Sequence, residues 1–450
     1  MSKTSIAGKG TFDRGIHPPE KKELACDAAI EVLPTPAEVK IPFIQHIGAP
    51  AVPAVNMRDT VEAGDVIATA EAFISAPIHT PISGTVGMIG GVTLPNGRRV
   101  QAFPIKAAES QPLEGQALFD DVLGGDWPID QVDSYRPEEI VEAVKAAGLV
   151  GLGGAAFPTF VKLMKNKDKP TDCVLVNGCE CEPYLTADYR LMLEAPKAVV
   201  CGALLAGRAI DAKDVYIAVE DNKPAAVEAL KKAAEGTGVT IAVLKTKYPQ
   251  GGEKQTVMAS LGREIPGGGL PLDVGVVVVN VGTTAAIARA VTRKKPLTHR
   301  VVTVTGEGIQ TPKNVLAPIG VSVSELIDYC GGLKENASRI ISGGPMMGFA
   351  IGDISVPITK GTSGITVLTE HETPRTEQTN CLRCGRCVDA CAMGLIPTRI
   401  ALACRSKDWD LARRHHLFSC CECGSCAYVC PAGLPLVQLI RMGKIQIPKD

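Results

Sequence analysis

Two cysteine runs near the C-terminus constrain the fold more than any other feature of this chain. They share the spacing Cys-x2-Cys-x2-Cys-x3-Cys and consist of Cys381, Cys384, Cys387 and Cys391, then Cys420, Cys423, Cys426 and Cys430. Three thiolates spaced in this way wrap one [4Fe-4S] cubane, while the fourth lies on a following helix and reaches the other cubane. The spacing therefore predicts two [4Fe-4S] clusters in a helical, ferredoxin-like domain.

The displaced fourth cysteine assigns the ligands of each cluster. The predicted sets are Cys381, Cys384, Cys387 and Cys430 for the first cluster, and Cys420, Cys423, Cys426 and Cys391 for the second. The alternative is a pair of structural zinc sites, which commonly use two separated Cys-x2-Cys pairs instead of one run of four. Two departures from the bacterial ferredoxin pattern remove no ligand: Ala392 replaces the usual proline, and about 28 residues separate the runs.

The cysteine content also indicates the compartment. The chain has sixteen cysteines and no charged-then-apolar signal segment at its N-terminus. In a reducing compartment thiols hold metals more often than they form disulfides, which predicts a cytoplasmic location. The eight cysteines outside the runs have no such spacing and are predicted to be small core residues, although Cys421 could replace a neighbouring ligand in a mutant.

Charge and hydropathy argue against nucleic acid as a partner and against a transmembrane helix in this chain. The formal net charge is −1 and basic residues form no stripe, which argues against nucleic acid. The longest uncharged runs, around 274–288 and 199–207, are shorter than the roughly 20 apolar residues of a spanning helix. Membrane contact is therefore expected through partner subunits or a surface arm, without a transmembrane segment of the chain's own.

At 450 residues the chain is too long for one core. Strands at 173–177, 215–219, 240–244 and 275–280, separated by helical stretches, predict a parallel sheet covered by helices. The predicted domains are an extended arm (1–37), a small all-β domain (38–108), a linker (109–135), an α/β domain (136–295), an α+β module (296–350), a second linker (351–379) and the cluster domain (380–445).

A glycine-rich turn precedes the first predicted strand of the α/β domain, and glycine-bearing or acidic loops follow its strands. They contain Gly151, Gly153, Gly154, Phe157 and Lys162; Asn177, Glu180 and Glu182; Tyr248, Gly251, Gly252 and Glu253; and Asn280 and Thr283. Glycines let backbone N–H groups approach a phosphate, and helix N-termini favour its charge. Taken singly, each loop could equally be a tight turn or a solvated loop, and Phe157 an ordinary core aromatic.

Together these features resemble a known family. Gly-Ile-His-Pro-Pro-Glu (15–20), Gln-His-Ile-Gly-Ala-Pro (45–50), Ser-Ala-Pro-Ile-His (75–79), the loop 151–158 and the double cluster motif closely resemble the RnfC subunits of the Rnf complex, an ion-translocating ferredoxin:NAD oxidoreductase. The central part is also similar to the NADH-binding flavoprotein subunit of respiratory complex I. The resemblance implies a Rossmann-like flavin domain, followed by a β-grasp (SLBB-type) module at 296–350.

The resemblance further implies FMN, with NAD(H) stacked over its ring. FMN would be held by Gly151, Gly153, Gly154, Lys162, Asn177, Asn280 and Thr283. The residues facing the nucleotide or the flavin edge would be Phe157, Glu180, Glu182, Tyr248, Gly251 and Glu253. Three positions depart from the complex I pattern: Leu152 stands for arginine, Cys179 for aspartate and Gly252 for glutamate.

The all-β domain resembles the barrel-sandwich fold of lipoyl and biotinyl carriers. Such carriers attach their cofactor to a lysine, and no lysine occurs between Lys40 and Lys106. The domain is therefore predicted to be unmodified, and to be structural or a docking surface.

The expected function is that of a peripheral subunit on the cytoplasmic face of the cell membrane, with membrane-embedded and ferredoxin-like Rnf subunits as partners. Hydride would pass between NAD(H) and FMN, and single electrons through the two clusters, so no side chain need be catalytic. One alternative is a cobalamin-reductase-like flavoprotein, although those relatives place the barrel-sandwich module after the nucleotide domain. The other is a cluster-bearing scaffold without nucleotide turnover, which the departures at Leu152, Cys179 and Gly252 leave open.

Overall fold

Short strands build the N-terminal domain of the computed structural model, which describes residues 6–166, 168–373 and 377–447. The first strand of the chain, β1 (Ile30–Val32), joins the mixed sheet of the third domain. The strands of the N-terminal domain are β2 (Glu38–Pro42), β3 (Val52–Pro53), β4 (Thr60–Val61), β5 (Val66–Thr69), β6 (Ile78–His79), β7 (Gly84–Val86), β8 (Gly90–Thr93) and β9 (Arg99–Ala107). One sheet has the order β2-β9-β7-β4, with β8 on β9, and the other β3-β5-β6. Val39 and Ile41 are fully buried on either side of exposed Lys40, the alternation expected of a half-buried strand.

The next domain is a parallel sheet covered by helices. Its elements are α1 (Gly115–Val122), α2 (Pro137–Ala146), α3 (Thr159–Leu163), β10 (Cys173–Asn177), α4 (Ala187–Glu194), α5 (Pro196–Ile210), β11 (Asp214–Glu220), α6 (Pro224–Ala233), β12 (Thr240–Leu244), α7 (Glu253–Leu261), β13 (Val276–Asn280) and α8 (Val281–Thr292). The strand order is β12-β11-β10-β13, all parallel. Asn177 pairs in register with Asn280, so both lie at the carboxyl edge of the sheet, where open α/β folds bind ligands.

A mixed sheet forms the third domain. Its elements are β14 (His299–Thr305), β15 (Lys313–Pro318), α9 (Val323–Tyr329), β16 (Ala337–Ser342), β17 (Phe349–Ile351) and β18 (Gly364–Thr369). The strand order is β1-β15-β14-β18-β16-β17. The hairpin loop between β16 and β17, residues 343–348, extends toward the last domain.

The last domain consists of two similar helical halves. Its helices are α10 (Arg386–Asp389), α11 (Pro397–Arg405), α12 (Trp409–Arg414), α13 (Ser425–Tyr428) and α14 (Leu436–Gln446). Gly385 before α10 has φ 81° and ψ −15°, and Gly424 before α13 has φ 85° and ψ −15°. The two cysteine runs therefore fold in the same local conformation. In the part of the chain that the structure describes, no helix is long and apolar enough to cross a membrane.

The predicted fold class is confirmed, but three segments are more structured than the sequence indicated. The arm 1–37 contributes β1 to the mixed sheet, and the linker 351–379 contributes β18, which pairs with β14 and β16. The linker 109–135 carries α1 and buries Trp127 and Val132 in the core of the α/β domain. Strands this short complete a sheet built by distant residues, so periodicity alone does not reveal them. Residues 1–5 of the arm and 374–376 of the second linker lie outside the described residues.

Candidate functional site

The glycine loop, which connects α2 to α3, lies against the carboxyl edge of the parallel sheet. A bridge between Val150 and Pro158 closes it, and the Gly151 N–H donates to the Phe157 carbonyl at 2.9 Å. A Cβ atom on Gly153 would lie 2.7 Å from Asn280 Nδ2, whereas one on Gly154 would meet no atom within 4 Å. Gly153 therefore lets the loop pack against Asn280, and Gly154 faces open space that a ligand can fill.

Two side chains hold the loop from behind. Thr283 Oγ1 accepts a hydrogen bond from the Leu152 N–H at 3.0 Å, so Thr283 lies against the glycine loop. Arg300 Nη2 donates to the Leu152 carbonyl at 3.0 Å and to the Thr362 carbonyl at 3.3 Å. Burial lowers the pKa of Arg300 to about 10, with the charge of Asp188 opposing that shift. Sequence reasoning missed Arg300, although a charged residue inside the apolar strand β14 was a usable signal.

Asn280 is fixed by a buried carboxylate cluster. Its Nδ2 donates to Asp188 Oδ2 at 2.6 Å, and its Oδ1 accepts from the Gly282 N–H at 2.8 Å, capping α8. Glu180 accepts from the Asp188 N–H at 2.8 Å and the Tyr189 N–H at 3.2 Å in the first turn of α4. Burial, and then the charge of Glu180, raise the pKa of Asp188. Glu180 thus caps a helix and supports Asn280 through Asp188.

The loop 248–253 packs directly on the end of β10. Asn177 Nδ2 donates to the Gly251 carbonyl at 2.7 Å, and Asn177 Oδ1 accepts from the Cys179 N–H at 3.0 Å. The Gly251 N–H donates to Cys181 Sγ at 3.2 Å. A Cβ on Gly251 would lie 2.3 Å from the Cys179 carbonyl oxygen, so only glycine fits there. Cys179 and Cys181 thereby position the second loop against the first strand end.

Lys162 and Glu253 form the charged edge of this crevice. Lys162 Nζ donates to Glu253 Oε1 at 2.7 Å and to the Val278 carbonyl at 3.1 Å. Gly252 precedes α7, and its own Cβ position would lie 2.3 Å from Gln255 Oε1. A side chain at position 252 would therefore have to displace the Gln255 side chain.

Tyr248 and Glu182 lie where three domains meet. The Tyr248 hydroxyl donates to the Cys423 carbonyl at 2.6 Å and lies 3.5 Å from Glu182 Oε1. Glu182 Oε2 accepts from the Met346 N–H at 3.2 Å, in the hairpin loop 343–348. Burial raises the pKa of Glu182 to about 7. The sequence predicts both side chains at the nucleotide, whereas the structure directs their polar atoms to the hairpin loop and the cluster domain.

The second predicted ligand set surrounds a cavity. Cys391, Cys420, Cys423 and Cys426 line it, together with Cys421. The Glu422 N–H donates to Cys420 Sγ at 3.4 Å, and in the first half the Arg383 N–H donates to Cys381 Sγ at the same distance. N–H donors of this kind stabilise thiolates and tune cluster potentials. The cavity brings Cys391 to the three cysteines of the other run, as the crossed ligand pattern requires.

The first set is related to the second by the similarity of the two halves. Cys430 follows α13 as Cys391 follows α10, and α13 packs against α10. Cys384 is exposed and Cys387 buried.

Across residues 6–166, 168–373 and 377–447, no three Cys, His, Asp or Glu side chains could hold a single metal ion. Sulfurs that line a cavity suit a larger inorganic group better than one zinc ion, which needs four ligands at about 2.3 Å.

Family models match four successive parts of the chain. They are described as the RnfC barrel sandwich hybrid domain (residues 10–110), the Nuo51 FMN-binding domain (144–289), the SLBB domain (301–350) and the 4Fe-4S dicluster domain (380–435). These matches confirm the predicted fold class and the predicted cofactors, FMN and two [4Fe-4S] clusters. The roles of individual site residues remain predictions.

Related proteins align with nearly the whole chain. The C component of the proton-translocating ferredoxin:NAD(+) oxidoreductase complex of Clostridium ljungdahlii is 44% identical over 87% of this chain and 84% of its own length. The Na(+)-translocating counterpart of Acetobacterium woodii is 42% identical over 97% of both chains. The crystal structure of an NAD+-reducing [NiFe]-hydrogenase, 19% identical, shares the fold with a TM-score of 0.50 over 72% of this chain and 65% of that one. From its domains and these relatives, the chain belongs to the RnfC family, the C components of ion-translocating ferredoxin:NAD(+) oxidoreductase complexes.

Proposed function

We propose that this chain exchanges electrons between NAD(H) and an iron–sulfur partner, as the peripheral subunit of an ion-translocating complex. The observation that carries the proposal is the contact between Tyr248 and Cys423. Tyr248 belongs to the loop that packs on Asn177 at the candidate FMN crevice, and Cys423 is a predicted ligand of the second cluster. One loop therefore connects the two cofactor regions directly.

The residues of the crevice form two groups: those that would contact FMN, here called the FMN cradle, and those that hold the loops in place. Gly151, Gly153 and Gly154 would hold FMN through backbone N–H groups, with Lys162 supplying positive charge at the edge. Thr283, Asn280 and Asn177 would keep the loops in place through the hydrogen bonds described above. When bound, FMN exchanges paired electrons with NAD(H) and single electrons with clusters, which is the cofactor's own chemistry. Phe157 and Glu253 would face the nucleotide, whereas Glu180, Glu182 and Tyr248 act as positioning residues.

The proposed location is the cytoplasmic face of the cell membrane. Thiolate ligands persist in a reducing compartment, and NAD(H) is available there. Membrane-embedded and ferredoxin-like subunits of the same complex would be the partners, and the coupling ion would move through the membrane subunits.

Replacing Gly154 with alanine tests the FMN cradle. The new Cβ enters open space, so the apoprotein should fold with an unchanged midpoint of thermal unfolding. If FMN fills that space, its affinity should fall at least about tenfold, since about 1.4 kcal/mol of lost contact suffices. Fluorescence titration of apoprotein with FMN measures the effect. Gly90→Ala is the matched control, because a Cβ at Gly90 also meets no atom within 4 Å.

Equal FMN affinities for Gly154→Ala, Gly90→Ala and the unsubstituted chain would refute the cradle assignment.

Anaerobic titration of the reconstituted protein with NADH separates the electron carrier from a scaffold. The carrier should show bleaching of flavin absorbance and reduction of an artificial acceptor. A scaffold would show neither.

A further inference from the structure

The two cluster-binding loops have the same backbone but different surroundings. The second loop is covered by the hairpin loop 343–348: a Cβ on Gly424 would lie 2.7 Å from the Met346 carbonyl oxygen, and Arg441 Nη2 donates to the Met347 carbonyl at 3.1 Å. The first loop is open. A Cβ on Gly385 would meet no atom within 4 Å, and the ligand Cys384 is exposed. The loop of the second half is therefore docked on another domain, whereas the described residues leave the loop of the first half uncovered.

The open loop differs in chemistry as well as in exposure. Its surface, defined here as residues 382–386, presents Leu382 with 65% of its area exposed, flanked by exposed Arg383 and Arg386. In the described part of the chain neither arginine forms a salt bridge. Unpaired guanidinium groups around an apolar side chain are a common form of protein interaction surface.

The equivalent positions of the docked half are satisfied internally. Glu422, which corresponds to Arg383, accepts from Arg441 Nε at 3.0 Å and from Lys444 Nζ at 2.7 Å. Ser425, which corresponds to Arg386, is only 1% exposed. The charge at these loop positions therefore differs according to what the loop contacts. The docked loop carries an acidic residue facing basic ones, and the open loop carries basic residues that call for an acidic surface.

We propose that the surface 382–386 docks a small acidic iron–sulfur protein or domain that exchanges single electrons with the first cluster. The inference rests on the proposed function and adds the place and charge of the contact. Cys384 at the surface brings a predicted ligand within reach of the partner. One electron passes, one cluster is oxidised and the other reduced, and no bond forms or breaks. A small contact with a charged rim suits a transient electron-transfer encounter.

The test uses an acidic two-[4Fe-4S] ferredoxin as probe and the holoprotein with Arg383→Glu and Arg386→Glu combined. Glutamate is compatible with the positive φ at 383, because Glu422 holds the same conformation. Both the affinity of oxidised ferredoxin, measured by calorimetry, and its electron-transfer rate should fall at least tenfold at low ionic strength. The deficit should shrink as salt is raised to about 1 M, where screening is nearly complete.

Arg98→Glu combined with Arg99→Glu is the control, since both arginines are exposed on the barrel-sandwich domain and the charge change is equal. Its ferredoxin affinity should match that of the unsubstituted protein. Iron content, and reduction of ferricyanide by NADH, should be unchanged in both variants, because the Arg383 N–H that donates to Cys381 Sγ belongs to the backbone and the substitution keeps it. These two measurements show that the site variant is folded and loaded.

Equal loss in the control and the site variant would overturn the proposal, because general charge would then explain it. Full ferredoxin affinity in the site variant would also overturn it. A loss of binding to anionic phosphatidylglycerol vesicles with ferredoxin affinity retained would assign the surface to a membrane instead. If the unsubstituted holoprotein passed no electrons from NADH to its clusters, the proposed function itself would fail, a result distinct from these.

Discussion

Among single residues, Lys360 is the most unusual that the structure describes. It is 1% exposed, and its Nζ donates to the Pro77 and Gly148 carbonyls, each at 2.7 Å. Pro77 belongs to the barrel-sandwich domain, and Gly148 lies just before the glycine loop. The backbone N–H of Lys360 also donates to Gln45 Oε1 at 3.0 Å, so the motifs 45–50 and 75–79 both contact a lysine that sequence reasoning did not single out. Through it, the barrel-sandwich domain supports the candidate flavin crevice.

Lys360 should make the stability of this junction depend on pH. Burial lowers its pKa to about 7 from the ordinary value of 10.5. Between these values the unfolded chain binds a proton that the native state does not, so the contribution of Lys360 to stability rises with pH. His46 and His79 face it, but burial lowers their pKa values to about 4 and about 3, outside this window.

Lys360→Met removes the titration. The free energy of unfolding of the unsubstituted protein, relative to this variant, should therefore rise between about pH 7 and pH 9 by at most roughly 1.4 kcal/mol per pH unit. Its thermal midpoint should rise with it. Calorimetric scans of both proteins at the two pH values measure the difference. Parallel pH profiles would mean that Lys360 keeps an ordinary pKa in the folded protein.

At the level of elements, the two helical halves make the crossed ligand pattern testable. Cys391 lies in the first run but lines the cavity with Cys420, so both should serve the same cluster. Each single change to alanine should lower the iron content from about eight to about four atoms per chain. The double change should also leave about four, because only one cluster is lost.

Iron analysis and EPR of the reduced, reconstituted proteins provide the measurement. Cys384→Ala combined with Cys420→Ala is the control, and it should lose both clusters. A double Cys391 and Cys420 variant with no iron would show that each run holds its own cluster. Cys421, which lines the same cavity, could restore a ligand only if its sulfur can replace Cys420.

An element could be predicted where residues close together in the sequence carried its pattern, and could not be predicted where it formed only by pairing with distant residues. The strands β10 and β12 were predicted to the residue, because buried parallel strands are continuous apolar runs bounded by turns. β1 and β18 were not predicted, because they are added to a sheet formed by distant residues. The glycine loop could be found from its composition, whereas the roles of Glu180 and Arg300 depend on α4 and β14 packing beside it, which no local pattern records.

For the whole molecule, the contacts of the cluster domain define an order of the redox groups. Cys423, of the second ligand set, contacts Tyr248, and Met393 of the same domain accepts a hydrogen bond from Gln255 Nε2 at 3.2 Å. Both partners belong to the α/β domain near the candidate flavin crevice. In the first set, Cys384 is exposed on the uncovered loop 382–386. We therefore expect the second cluster to exchange electrons with the crevice and the first with the outside.

This order predicts different effects for the two single-cluster variants. Without the second cluster, in Cys420→Ala, NADH should no longer reduce the first cluster rapidly, because the connection through the loop of Tyr248 is interrupted. Without the first, in Cys384→Ala, NADH should still reduce the second cluster at the unsubstituted rate. Rapid-freeze EPR after mixing with NADH distinguishes the cases. Both variants should keep FMN and reduce ferricyanide, so a failure to do so would indicate misfolding. Rapid reduction of the first cluster in Cys420→Ala would reverse the order and remove Tyr248 from the path.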